Sequence, residues 1–141
     1  MSRKGLAPLS IVQQAMGIRS LWPAPAPKLL RGHLVWIGKL QPTPVSPVYT
    51  VRLRYDGSHP RVHVLDPKLD PGHQSRLPHV YSGNELCLYT PGEWKRSMPV
   101  ATTVIPWIAE WLFHYELWLA TDGWSGGGDV YAPPDRNRRA A

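Results

Sequence analysis

Cys87 is the only cysteine in the 141-residue chain, and no other residue is so plainly a nucleophile. Acyl transfer through cysteine runs on the thiolate, because the thiol is a poor nucleophile. Cys87 follows a Gly83-Asn84 turn and stands between Leu86 and Leu88. The turn would bring the sulfur near the surface while the leucines anchor the backbone. The same residue also reads as a small buried hydrophobe. A lone cysteine makes no internal disulfide, so nothing here calls for an oxidising compartment.

Among the histidines, His79 stands eight residues before Cys87, and His73 precedes it in the same stretch. His59 and His63 suggest a metal, but no second cluster of Cys, His or acid supports one, and zinc takes three or four ligands. Asp122 and Asp129 bracket a Gly-rich run, where they could steer an ammonium group or simply be solvated. Gly126–Gly128 lack the Lys-Ser/Thr of a phosphate loop. The expected site therefore needs no metal and no cofactor. The last two residues are Ala-Ala, unlike the Gly-Gly end of a ubiquitin-like modifier.

These residues need elements to position them. Pro8 to Leu21 reads as a helix, with Ser10 as N-cap and Val12, Ala15, Met16 and Arg19 at three-four spacing. The prolines at 23, 25 and 27 then break it. Strands are predicted at His33–Leu40, Val48–Tyr55 and Arg61–Leu65. Tyr49, Val51, Leu53 and Tyr55 would face one way, with Thr50, Arg52 and Arg54 facing the other. Short turn-rich links imply an antiparallel meander with one solvated face. From Asp66 to Pro99 the pattern dissolves into a long irregular loop that holds Cys87, and loops this long are commonly functional. A closing helix is predicted from an N-cap at Thr103 to Ala120. Its apolar stripe comprises Ile108, Trp111, Leu112, Tyr115, Trp118 and Leu119. The expected class is α+β: N-terminal helix, antiparallel meander of three to four strands, active-site loop, C-terminal helix. One domain over residues 1–131 is expected, followed by a basic tail over 132–141.

Composition narrows the partners. Hydrophobic residues at 43% against charged residues at 18% mark a globular chain. Seven Trp and six Tyr against one Phe point to a core of amphipathic aromatics. No acid precedes Asp56, and between Ser97 and Asp135 there is no Lys or Arg. A net charge of +6 would suit nucleic acid, but no nucleic-acid-binding motif accompanies it, and an acidic protein partner fits equally. The most apolar stretch, Val104 to Ala120, is interrupted by Glu110, His114 and Glu116, as in a buried helix rather than a membrane span. With no secretory signal pattern at the N-terminus, a cytoplasmic location is expected.

The segment from Leu77 to Leu88 (Leu-Pro-His-Val-Tyr-Ser-Gly-Asn-Glu-Leu-Cys-Leu) resembles the ubiquitin-conjugating enzymes. Their pattern is His-Pro-Asn, a short Gly-containing stretch, an apolar residue, the catalytic Cys and Leu. Here Leu77-Pro78-His79 stands in place of His-Pro-Asn. Trp94 resembles the tryptophan that follows the family's cysteine. The meander from Leu34 through Pro42-Thr43-Pro44 to Tyr49 looks like the family's sheet. Within that family the likeness is to the prokaryotic proteins of CBASS antiphage operons. It rests on Pro78-His79-Val80-Tyr81 with Leu86-Cys87-Leu88-Tyr89, the run Tyr115-Glu116-Leu117-Trp118-Leu119-Ala120-Thr121, and Gly123-Trp124-Ser125-Gly126-Gly127-Gly128. The length resembles the stand-alone kind.

The resemblance implies that Cys87 forms a thioester with the C-terminal glycine of a cGAS-like nucleotidyltransferase. That acyl group would pass to a lysine of a target protein, priming the synthase, with a separate activating enzyme as an optional further partner. His79 occupies the position of the family's Asn, which is associated with stabilising the oxyanion. A neutral imidazole offers one N–H donor for that task and, unlike Asn, could accept a proton near neutral pH. A histidine that only pins the loop is the alternative. The basic first helix, with Arg3, Lys4 and Arg19, would be a docking surface. An inactive module of the same fold that positions the nucleotidyltransferase is the competing expectation.

Overall fold

The structure, a computed structural model, describes residues 5–22, 24–72 and 76–124. Helix α1 spans Ile11–Leu21 and starts where sequence chemistry demands. Ser10 Oγ accepts from the Gln13 backbone N–H while the Gln13 side chain accepts from Ser10 N–H, closing a capping box. Its buried face differs from the expected one. Gln14, Ala15 and Ile18 point inward, while Val12 and Met16 are exposed. Gln14 is buried because its amide bridges two backbone groups far along the chain. It donates to Met98 O at 2.8 Å and accepts from Val100 N–H at 2.8 Å. A polar side chain so satisfied belongs in a core.

Four antiparallel strands follow in sequence order: β1 (Lys28–Leu30), β2 (His33–Leu40), β3 (Tyr49–Tyr55) and β4 (Pro60–Asp66). The alternation seen in the sequence fixes the faces. Leu34, Trp36, Leu40, Tyr49, Val51, Leu53, Tyr55 and Val62 are buried on one side. Arg54 lies opposite Arg61, and Arg52 opposite His63, on the other. Strand β1, which was not expected, is three exposed residues paired to His33–Val35.

Helix α2 spans Val104–Thr121 and lays Val104, Ile105, Ile108, Trp111, Leu112, Tyr115 and Trp118 into the core formed by the sheet. Leu119, expected on that stripe, is instead 39% exposed. Thr103 makes no side-chain cap. Of the two amides such a cap would serve, Ile105 N–H is already bonded to Val100 O, and Pro106 has none. Tyr49 Oη and Ser46 Oγ both donate to the Glu116 carboxylate, tying α2 to β3 and the loop before it. Among the described residues no helix is long and apolar enough to cross a membrane. The tail over 132–141 lies outside the described residues.

Candidate active site

Within the loop between β4 and α2, two short strands form a small hairpin: β5 (Val80–Tyr81) and β6 (Glu85–Leu86), joined by a 3₁₀ turn at Ser82–Asn84. Gly83 and Asn84 both take positive φ, 75° and 60°, which their residue types tolerate. Cys87 is the first residue past β6, and Leu86 before it is fully buried. The Cys87 backbone N–H donates to His79 O at 2.9 Å, and the Trp111 indole N–H donates to the same carbonyl at 3.0 Å. One main-chain oxygen therefore ties the cysteine to α2. His79 itself is left-handed, with φ 49°, a conformation in which histidine is enriched over bulkier residues.

The Cys87 side chain is half-buried and faces a cleft of about 250 Å³. His79, Trp107, Trp111 and Trp124 supply aromatic wall, and the carboxylates of Glu93 and Glu110 lie along it with His114. Trp124 stacks on the His79 ring at a centroid distance of 4.7 Å and a 26° angle, and it also meets Trp111 and His114. His114 Nε2 is 3.8 Å from Glu110 Oε1, one helical turn away.

The Cys87 thiol donates to Tyr81 Oη at 3.3 Å. On ionisation the same hydroxyl can turn its proton toward the sulfur. Burial pushes the thiol above its ordinary range, the Tyr81 hydrogen bond opposes that, and the charge on Glu93 adds to the upward shift. Glu93 is held ionised below the usual carboxylate range by the Thr90 hydroxyl and backbone N–H. At rest Cys87 is thus a protonated thiol at neutral pH, with one hydroxyl beside its sulfur.

Cys87 and His79 are brought into one cleft. Leu77 is buried in the core. Trp94 does not line the cleft: it is buried edge-on against Tyr55 and donates to Ser58 O at 2.8 Å. Asp122 is the left-handed C-cap of α2, its N–H bonded to Trp118 O, and among the described residues the carboxylates lining the cleft are Glu93 and Glu110. His59 and His63 line a different cleft, with Arg54 and Arg61. His73, Asp129 and Gly126–Gly128 lie outside the described residues. Sequence reasoning missed Tyr81 as the residue on the sulfur, and Trp111 and Trp124 as its scaffold. Tyr81 and Trp124 lay inside the segments that carried the resemblance, but spacing gave them no role.

A family model described as "Type II CBASS E2 protein" matches residues 14–131, a span that includes every described residue of the cleft. No curated protein matches the sequence.

Proposed function

Because the chain belongs to the type II CBASS E2 protein family, we propose that it is a conjugating-type acyl carrier whose nucleophile is Cys87. Its acyl donor is the C-terminal glycine of a cGAS-like nucleotidyltransferase, presented as an activated ester. The Cys87 thiolate attacks that carbonyl carbon, the C–S bond forms, and the bond to the activating group breaks. The thiol proton leaves to solvent. An amine, such as a target lysine, then attacks the thioester, the C–N bond forms, sulfur departs as the thiolate, and the nitrogen gives up a proton to solvent.

The observation that carries this reading is the seat of Cys87. It lies in an aromatic cleft within the family-matched residues, its sulfur on the Tyr81 hydroxyl and its backbone fixed through His79 O. The thiolate that attacks in the first step and the thiolate that departs in the second both benefit from the Tyr81 donor. The His79 ring, braced by Trp124, is the group assigned to donate to the oxyanion. Glu93 and Glu110 give the cleft a negative rim that favours an approaching ammonium group.

A second reading, an inactive module that positions the nucleotidyltransferase, is favoured by the upward shift of the thiol. Non-reducing gels of the protein with its nucleotidyltransferase and an activating enzyme separate the two. The acyl-carrier reading requires an adduct that thiol reagents cleave and Cys87→Ala abolishes, with Cys87→Ser trapping a thiol-resistant ester. A complex that survives Cys87→Ala, with no adduct under any condition, establishes the positioning role instead.

A further inference from the structure

Strand β2 is eight residues long, but β1 covers only His33–Val35 of it. From Trp36 to Leu40 its β3 side is paired, and on the β1 side no backbone hydrogen bond is made among the described residues. The cause is in the sequence. Continuing the β1–β2 register would set Pro27 opposite Trp36, Pro25 opposite Gly38 and Pro23 opposite Leu40. Prolines at every second position strip one parity of the strand of its N–H groups, so β1 cannot extend. Exposed strand edges are ordinarily covered, because unpaired N–H and C=O groups recruit other chains.

Beside this open edge lies a mostly apolar pocket of about 470 Å³, walled by Trp22, Ala24, Pro25, Trp36, Gly38 and Lys39. Trp36 is 1% exposed, and its indole Nε1 is buried with no hydrogen-bond partner, whereas the neighbouring Trp22 donates to Ala101 O. A buried donor without an acceptor is uncommon in a finished core. On the outer face of the sheet beside the edge, Ile37 is 44% exposed and Lys39 is exposed. Arg52 stands opposite Ile37, and Lys28 opposite Val35, with no acid between them.

We propose that the open edge of β2, Trp36 to Leu40, is the docking site for an extended acidic peptide segment of a partner protein, added to the sheet as a further strand. Five edge residues at about 3.4 Å each accept a segment of roughly 17 Å. Alternation then dictates its chemistry. Positions facing Trp36, Gly38 and Leu40 are apolar and enter the pocket. Positions facing Ile37 and Lys39 are acidic and meet the cationic outer face. Nucleic acid fits less well, since the tryptophans of this region are turned to the pocket and core rather than displayed on the basic face for base stacking.

The test is an NMR titration of the full chain with the peptide Ac-Glu-Val-Glu-Leu-Glu-Val-Glu-NH2, with a control of the same composition whose apolar residues are contiguous. Expected are saturable binding, movement of the Trp36 indole resonance, and at least tenfold slower amide exchange within Trp36–Leu40. Ile37→Glu, at an exposed position, should weaken binding tenfold or more while leaving the alkylation rate of Cys87 unchanged. Absence of saturable binding at millimolar peptide overturns the proposal. So does equal binding of the control, which would mean charge attraction alone, or preference for an oligothymidylate. Edge protection that rises with protein concentration in the absence of peptide would replace the partner by a second copy of this chain.

Discussion

Replacing Tyr81 by Phe removes one oxygen from the site and leaves the ring, its burial and the β5–β6 hairpin in place. The interaction of interest is that of the hydroxyl 3.3 Å from Cys87 Sγ. A hydrogen bond to a charged group contributes about 1.5–3 kcal/mol. Cys87 is only half-buried, so water replaces part of that donor, and the lower end of the range applies. At about 1.4 kcal/mol per decade, the thiolate population at a fixed pH should fall about tenfold. The neutral thiol loses only a weak S–H donor bond to the same oxygen, so the change falls mainly on reactivity. Alkylation by iodoacetamide, followed by intact mass between neutral and strongly basic pH, reads the thiolate directly. The native protein should already react slowly at neutral pH, because burial and Glu93 both push the thiol upward. Tyr81→Phe should shift the whole profile to higher pH with an unchanged unfolding midpoint. Superimposable profiles would show that the hydroxyl does not support the thiolate, and the electrostatic account of the site would fail with it.

Glu93→Gln should act in the opposite direction, raising the alkylation rate at neutral pH by a factor of about two to five, since it deletes an exposed like charge beside the sulfur. Gln14→Leu should cost about 2–4 kcal/mol in a denaturant titration, because it leaves Met98 O and Val100 N–H unpaired in the interior. Gly38→Ala should cost about 1–3 kcal/mol by the same measurement. A Cβ there would sit 2.0 Å from Trp36 Cζ2, so the buried indole must move. Trp111→Phe should cost about 1 kcal/mol and speed exchange of the Cys87 amide, whose acceptor it shares.

Strands β2, β3 and β4 were legible because one face is buried and the side-chain period of two leaves a direct trace, as in Tyr49, Val51, Leu53 and Tyr55. Strand β1 was not. Lys28-Leu29-Leu30 is exposed on both faces, and its pairing comes from β2 rather than from its own pattern. The start of α1 was legible from Ser10. Its buried face was not, since Gln14 is inward for the sake of partners 84 and 86 residues away. For the site, the local segment pointed to Cys87 and His79, but the groups that give them a shape arrive from elsewhere. Trp111 and Trp124 come from the closing helix and the turn beyond it, and no spacing rule reaches across that distance. The carboxylates show the same limit. Asp122 was visible beside glycines, yet the helix end uses it as a cap, while Glu93 and Glu110 occupy the cleft.

The single oxygen of His79 that receives both the Cys87 amide and the Trp111 indole also sets an order of events during synthesis. A growing chain that has emerged only as far as residue 100 already contains the cysteine, the histidine and the tyrosine. It lacks the helix that clamps their loop, and the indole that braces the imidazole emerges later still. The cysteine is therefore translated early and its surroundings are assembled late, so a half-made chain carries the thiol without the cleft around it. The cleft exists only once α2 has docked.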